Sequence, residues 1–171
     1  WGFARDTGFA SRDGAVTVPG PVLTVPPGDT VLTIHLDNDL PEPVSLVIPG
    51  QPLATGQAPV RNGAGRAVAY ALETAPGNNA PVDYVWTGIR PGTYLYHSGS
   101  HPAVQCSMGL YGAVIQDYQP GQAYSNVVYD RAVLLFYSEI EPRLTQAVSH
   151  DNFGPGRMVS STMDYQAGYY L

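Results

Sequence analysis

The sequence predicts an all-β domain, a sandwich or barrel of short strands, on three observations. Glycine, proline and tyrosine number 19, 16 and 12 in 171 residues, a mixture that suits strands joined by tight turns better than long helices. Apolar residues recur in short runs, several with the alternation of a half-buried strand. The hydrophobic fraction, 44%, is that of a chain able to bury a core, so disorder is not the expected state.

In chain order, Ala15–Val18 and Val22–Val25 are apolar runs split by Pro19, Gly20 and Pro21, as in an interrupted edge strand. Thr30–Asn38 is the clearest strand: Leu32, Ile34 and Leu36 alternate with Thr33, His35 and Asp37, which puts His35 on the polar face, where it needs no special role. Val44–Ile48 follows, then a long surface loop from Gln51 to Gly65 that is rich in Pro, Gly, Ala and Asn. Ala67–Leu72, Val82–Trp86, Thr93–His97 and Leu110–Gln116 complete the strands, with turns at Pro76–Asn79 and Arg90–Gly92. Beyond Asp117 the texture changes. Ala132–Tyr137 is a continuous apolar run of the kind that is fully buried, and Glu141-Pro142 before Leu144, Ala147 and Val148 starts one short helix, with Glu141 as an exposed capping charge. Ser149–Gln166 reads as loop, and Tyr169-Tyr170-Leu171 as the start of a strand.

Charge and composition remove several function classes. All eight cationic residues are scattered arginines against fourteen carboxylates, a formal charge of -6, which is the wrong surface for nucleic acid. Gly63-Ala64-Gly65 lacks the Lys and Thr of a phosphate loop. No serine near the histidines has a local acid to complete a nucleophilic triad. Every apolar run is too interrupted to span a membrane. The opening at Trp1, without Met or an apolar leader, is what a processed secreted protein would show, as would a trimmed chain. The single cysteine, Cys106, is a packed thiol, a metal ligand or half of a bridge to another chain.

Four stretches together resemble the first domain of multicopper oxidases: Pro19-Gly20-Pro21-Val22-Leu23, Pro27-Gly28-Asp29-Thr30-Val31, the strand Pro91-Gly92-Thr93-Tyr94-Leu95-Tyr96-His97-Ser98, and Gln105 followed by Gly109-Leu110-Tyr111-Gly112-Ala113-Val114. The resemblance implies a cupredoxin-like Greek-key β-sandwich over residues 1–120. Residues 121–171 would be a linker and the opening strands of a second, incomplete cupredoxin-like domain, since Tyr129-Asp130 leading into Val133-Leu134-Leu135-Phe136 is similar to the start of the family's second domain. It also implies copper, oxidoreductase chemistry with dioxygen, and a secreted or periplasmic location.

The ligand pattern departs from the family's. A copper-bearing first domain contributes two His-X-His motifs, whose alternate residues aim two imidazoles at one space. The first would fall near Val44–Gly50, which has no histidine; in the second His97 is kept, but Gly99 stands two residues on. For a type 1 copper, Ser98, Gln105 and Leu110 occupy the aligned places of Cys, His and Met. Within the same loop His97, His101, Cys106 and Met108 are candidate ligands for one Cu(I) or another soft metal. Equally, the two histidines could be hydrogen-bonded or exposed, with Cys106 and Met108 simply packed. Two functions follow: the N-terminal cupredoxin module of a secreted multicopper-oxidase-like protein, or a copper-free structural or self-assembling sandwich. The partners are the remainder of the same protein or other copies, met through the C-terminal segment, where Tyr165, Tyr169 and Tyr170 cluster.

Overall fold

A computed structural model describes residues 1–9, 11–78, 81–154, 157 and 166–170. Twelve strands occur among them: β1 (Leu23–Val25), β2 (Val31–Leu36), β3 (Leu46–Val47), β4 (Val60–Arg61), β5 (Ala67–Ala69), β6 (Val82–Thr87), β7 (Gly92–Ser98), β8 (Tyr111–Gln116), β9 (Gln122–Tyr124), β10 (Val127–Val128), β11 (Glu139–Ile140) and β12 (Tyr169–Tyr170). Two helices accompany them, α1 (Pro102–Gln105) and α2 (Pro142–Ser149). The main sheet runs β1-β8-β7-β3, with β1 parallel to β8 and the other pairs antiparallel. Facing it is the antiparallel pair β2-β6.

The alternation that marks β2 in the sequence explains this second layer. Leu32 and Ile34 stand opposite Trp86 and Tyr84 of β6, and all four turn toward a core shared with Val25, Leu46, Ile48, Tyr96 and Val114 of the main sheet. The two large rings stack at 6.2 Å between centroids, and Trp86 Nε1 donates to Pro52 O at 3.1 Å, so burial strands no donor. On the outer face His35 lies across from Asp83 and its Nδ1 is 2.6 Å from that carboxylate, the hydrogen-bonded surface histidine that the pattern implies. Two strands do not cover four, however. An opening of about 670 Å³ remains beneath residues 2–16, and through it Leu32, Ile34 and Leu36 stay partly accessible.

Tyr96 locks the main sheet. Its hydroxyl donates to Pro21 O at 2.8 Å, and its ring lies flat over Gly112, where an added Cβ would come within 2.4 Å of Cζ. That contact is why glycine sits in the middle of β8, where any side chain would push the ring out of the core.

Several expectations change. The edge run Ala15–Val18 is not a strand; only Thr17 makes an isolated bridge, to Phe3. The loop 51–65 ends in β4, paired with β5, and Gln122–Val128 forms a hairpin whose turn residue Asn126 has φ 65°. The loop before β8 holds a helical turn, α1, that the sequence did not suggest. The run Ala132–Tyr137 is not buried: Val133 and Tyr137 are each 82% exposed, and the segment forms no strand. Leu134 and Phe136 are half-buried, and Phe136 stacks on Tyr111 at 5.7 Å. The helix begins where Glu141-Pro142 places it, and Glu141 caps it by accepting from Arg143 N at 3.0 Å. The cap is buried, though, at 2% exposure, because the Gln166 amide also donates to its carboxylate. Tyr165, Leu171 and most of the loop expected between Ser149 and Gln166 lie outside the described residues.

Candidate functional site

The chemistry-bearing loop connects β7 to β8 at one rim of the sandwich. His97 lies next to the end of β7, opposite Val47 of β3 and Tyr111 of β8. Its Nδ1 lies 2.8 Å from Ser98 O, a carbonyl that can only accept, so Nδ1 carries the proton and Nε2 keeps the lone pair. The ring borders a shallow recess of about 300 Å³ whose other walls include Val47, Pro49, Leu53, Tyr70 and Trp86. Cys106 follows α1 and brings Sγ to 3.5 Å from His97 Nδ1. Burial pushes its thiol pKa up, which keeps it protonated at neutral pH.

The other two candidates are not drawn into this contact. His101 is exposed at the start of α1, in left-handed backbone with φ 38°. Met108 is buried at 7% exposure, and its carbonyl accepts from the Trp1 amino group at 3.0 Å. The structure therefore pairs His97 with Cys106 and records no bond from either to His101 or Met108. Among the described residues, no group of three or more His, Cys, Asp or Glu side chains is arranged to hold a metal ion.

A different set of side chains does converge. Ser98 and Gln105, which the sequence resemblance sets at the places of two type 1 ligands, are both fully buried, and the Ser98 hydroxyl donates to Gln105 Oε1. Gln105 Nε2 then donates to Glu42 Oε1 at 2.6 Å and to Pro43 O at 2.9 Å. Beside them Ser100 Oγ donates to Glu73 Oε1 at 2.7 Å and lies 3.1 Å from Ser45 Oγ. Leu110, at the aligned place of the third ligand, is buried.

The position expected for a second-motif histidine is also closed. A Cβ on Gly99 would stand 2.8 Å from Ser45 Oγ, 3.0 Å from Val47 Cγ1 and 3.3 Å from Tyr70 Cβ. Val47 belongs to the stretch where the resemblance sets the first histidine motif, and a side chain at 99 would have to move those of Ser45 and Val47. Sequence reading gave Glu42, Ser45, Glu73 and Ser100 no role. They lie in connections between strands, with no motif that marks them without the fold.

These features agree with comparisons to known proteins. A family profile described as multicopper oxidase matches residues 14–120, well over half of the chain. No curated protein sequence matches. Among solved structures, the chain is similar to a multi-copper oxidase from Pseudomonas thermotolerans, at 25% identity and TM-score 0.50, over 63% of this chain and 24% of that one. It also shares the fold of a copper nitrite reductase from Nitrosomonas europaea, at 24% identity and TM-score 0.53, over 81% of this chain and 44% of that one. A blue copper oxidase from Nitrosomonas europaea matches at 17% identity and TM-score 0.54, over 90% of this chain and 43% of that one. The chain thus spans less than half the length of these relatives. Fold and sequence together establish that this all-β, cupredoxin-fold chain belongs to the multicopper oxidase family.

Proposed function

We propose that residues 1–120 are the N-terminal cupredoxin module of a secreted or periplasmic multicopper-oxidase-like protein, and that copper chemistry in that protein is carried outside this chain. Residues 121–171 are the linker and opening strands of a second cupredoxin-like domain. One observation carries this reading: the residues at the copper positions of the module bond to one another instead of leaving lone pairs for a metal. The segment 131–138, largely apolar yet exposed at Val133, Leu135 and Tyr137 and paired with no strand among the described residues, supports the second-domain assignment, because such a surface is normally covered. No helix among the described residues is long and apolar enough to cross a membrane.

The whole protein would couple one-electron oxidation of a donor to reduction of dioxygen. This chain's contribution is a folded wall against the copper-bearing domains. Two rivals have their own observations. The exposed Tyr169 and Tyr170 on β12 favour a copper-free module that self-assembles by strand addition. The approach of Cys106 to His97 favours a soft-metal site, with His101 and Met108 as the further ligands.

The test is copper content, oxygen consumption and light scattering of the purified full gene product, with and without His97→Ala plus Cys106→Ser. The reading expects bound copper and oxygen uptake that survive the double substitution. Loss of one copper equivalent on substitution would move the metal into this loop. A copper-free product forming large assemblies that Tyr169→Ser plus Tyr170→Ser disperses would establish the assembly module instead.

A further inference from the structure

The residues at the type 1 copper positions do more than fail to bind copper. We propose that Glu42, Gln105 and Ser98 form a built-in hydrogen-bonded cross-link that does copper's structural work in this domain and shuts its site to metal. The proposal rests on the reading that copper is held elsewhere, and it concerns what replaced it here.

A type 1 copper ties a rim loop to a distant strand of the sandwich by ligands from both. The cross-link has the same reach. Gln105 sits in the rim loop at the end of α1, whereas Glu42 and Pro43 lie 63 and 62 residues away on the approach to β3. Ser98 ends β7 and holds the other end of the Gln105 amide. One amide thus joins three parts of the chain, with its oxygen accepting from Ser98 and its two N–H groups directed at Glu42 and Pro43. Because both neighbours of the nitrogen are acceptors, the amide orientation is fixed by chemistry.

The same arrangement excludes a cation. An amide nitrogen has no lone pair to give, and its hydrogens occupy the directions from which a metal would draw electrons. Leu110 fills the aligned place of the third ligand with methyl groups. A metal could enter only by breaking three hydrogen bonds around fully buried Gln105, leaving its polar atoms unpaired. Hydroxyl and amide groups are also poor ligands for the soft ions that imidazole and thiolate attract.

An isosteric swap tests this in the full-length protein, read by hydrogen–deuterium exchange of the peptide spanning 96–110 so that copper in other domains does not enter the readout. Gln105→Glu keeps the shape but sets a carboxylate against Glu42. It should speed exchange in that peptide by roughly 10–100-fold, the loss of about two buried hydrogen bonds. Adding Glu42→Gln restores the pair between positions 42 and 105 in the opposite sense but not the bond to Pro43 O, and should recover roughly half of the lost protection. Wild-type exchange should be unmoved by one equivalent of Cu(II) or Cu(I), or by a chelator. If Gln105→Glu alone does not fold, Glu42→Ala, which removes the acceptor of the Gln105 amide, is read in its place and should speed exchange in that peptide roughly tenfold. Protection of the wild-type peptide by copper would overturn the proposal, as would Gln105→Glu without effect or a swap that fails to recover. None of these outcomes depends on the whole protein's copper content, on which the functional reading stands.

Discussion

The β7–β8 rim and the segment from Arg131 to Ile140 invert each other's chemistry. At the rim, polar side chains are buried and joined: Ser45, Ser98, Ser100 and Gln105 are inaccessible, and hydrogen bonds link each to a neighbour. In the C-terminal segment apolar side chains are exposed, with Val133, Leu135 and Tyr137 turned to solvent. Beneath it Tyr111 Oη and Ser138 Oγ are buried without a hydrogen-bond partner among the described residues. A buried polar group without a partner and an apolar stripe in water each carry a free-energy cost. The rim therefore buries its polar groups in mutual hydrogen bonds, whereas the segment leaves apolar side chains in water.

That contrast can be broken at either end. The largest effect is expected from Gln105→Ala, which deletes the amide and leaves the Ser98 hydroxyl and Glu42 carboxylate facing a small cavity. It should lower stability by about 3 kcal/mol in urea unfolding, whereas a change below about 0.5 kcal/mol would mean that the network is ornamental. Next comes Leu135→Asp in the full-length protein. If a second domain covers this residue the substitution should cost about 2 kcal/mol, and if it stays in water, under about 0.5 kcal/mol. Gly99→Ala should cost about 1 kcal/mol through its contacts with Ser45 and Val47, with partial recovery when Val47→Ala is added.

The smaller effects are read by pH. Hydrogen bonds from Arg143, with those of the Arg143 and Gln166 amides, hold the Glu141 carboxyl below its ordinary value of 4.5. A group depressed in the folded state stabilises fully above its unfolded pKa and loses that contribution as pH falls through the folded one. The wild-type Tm should therefore drop more steeply below pH 4.5 than that of Glu141→Gln, and parallel curves would remove the cap from the acid response. Least in size, alkylation of Cys106 should lag behind that of a free thiol and accelerate only at high pH.

What the sequence made legible follows from range. Alternation placed β2, and short apolar runs between turns placed β7 and β8, each end to within two residues, since both signals are local. Glu141 was identified as a cap because Pro at the first helical turn is local too; its burial was not, because Gln166 approaches from 25 residues away. The run Ala132–Tyr137 shows a further limit. Composition records that a surface is apolar, yet it cannot distinguish burial within the chain from burial under a partner. His97 and Cys106 lay close enough in sequence to be considered together. Glu42 and Glu73 were invisible, since only the pairing of β3 with β7 brings them to Gln105 and Ser100.

The most direct measurement is a copper-edge anomalous difference map from crystals of the full-length protein grown with copper. Density should be absent from the space between Glu42, Ser98 and Gln105 and from the contact of Val47 with Gly99, while any copper peaks fall outside residues 14–120. A peak bonded to Gln105, or to His97 and Cys106, would contradict the claim that protein side chains have closed this domain to metal.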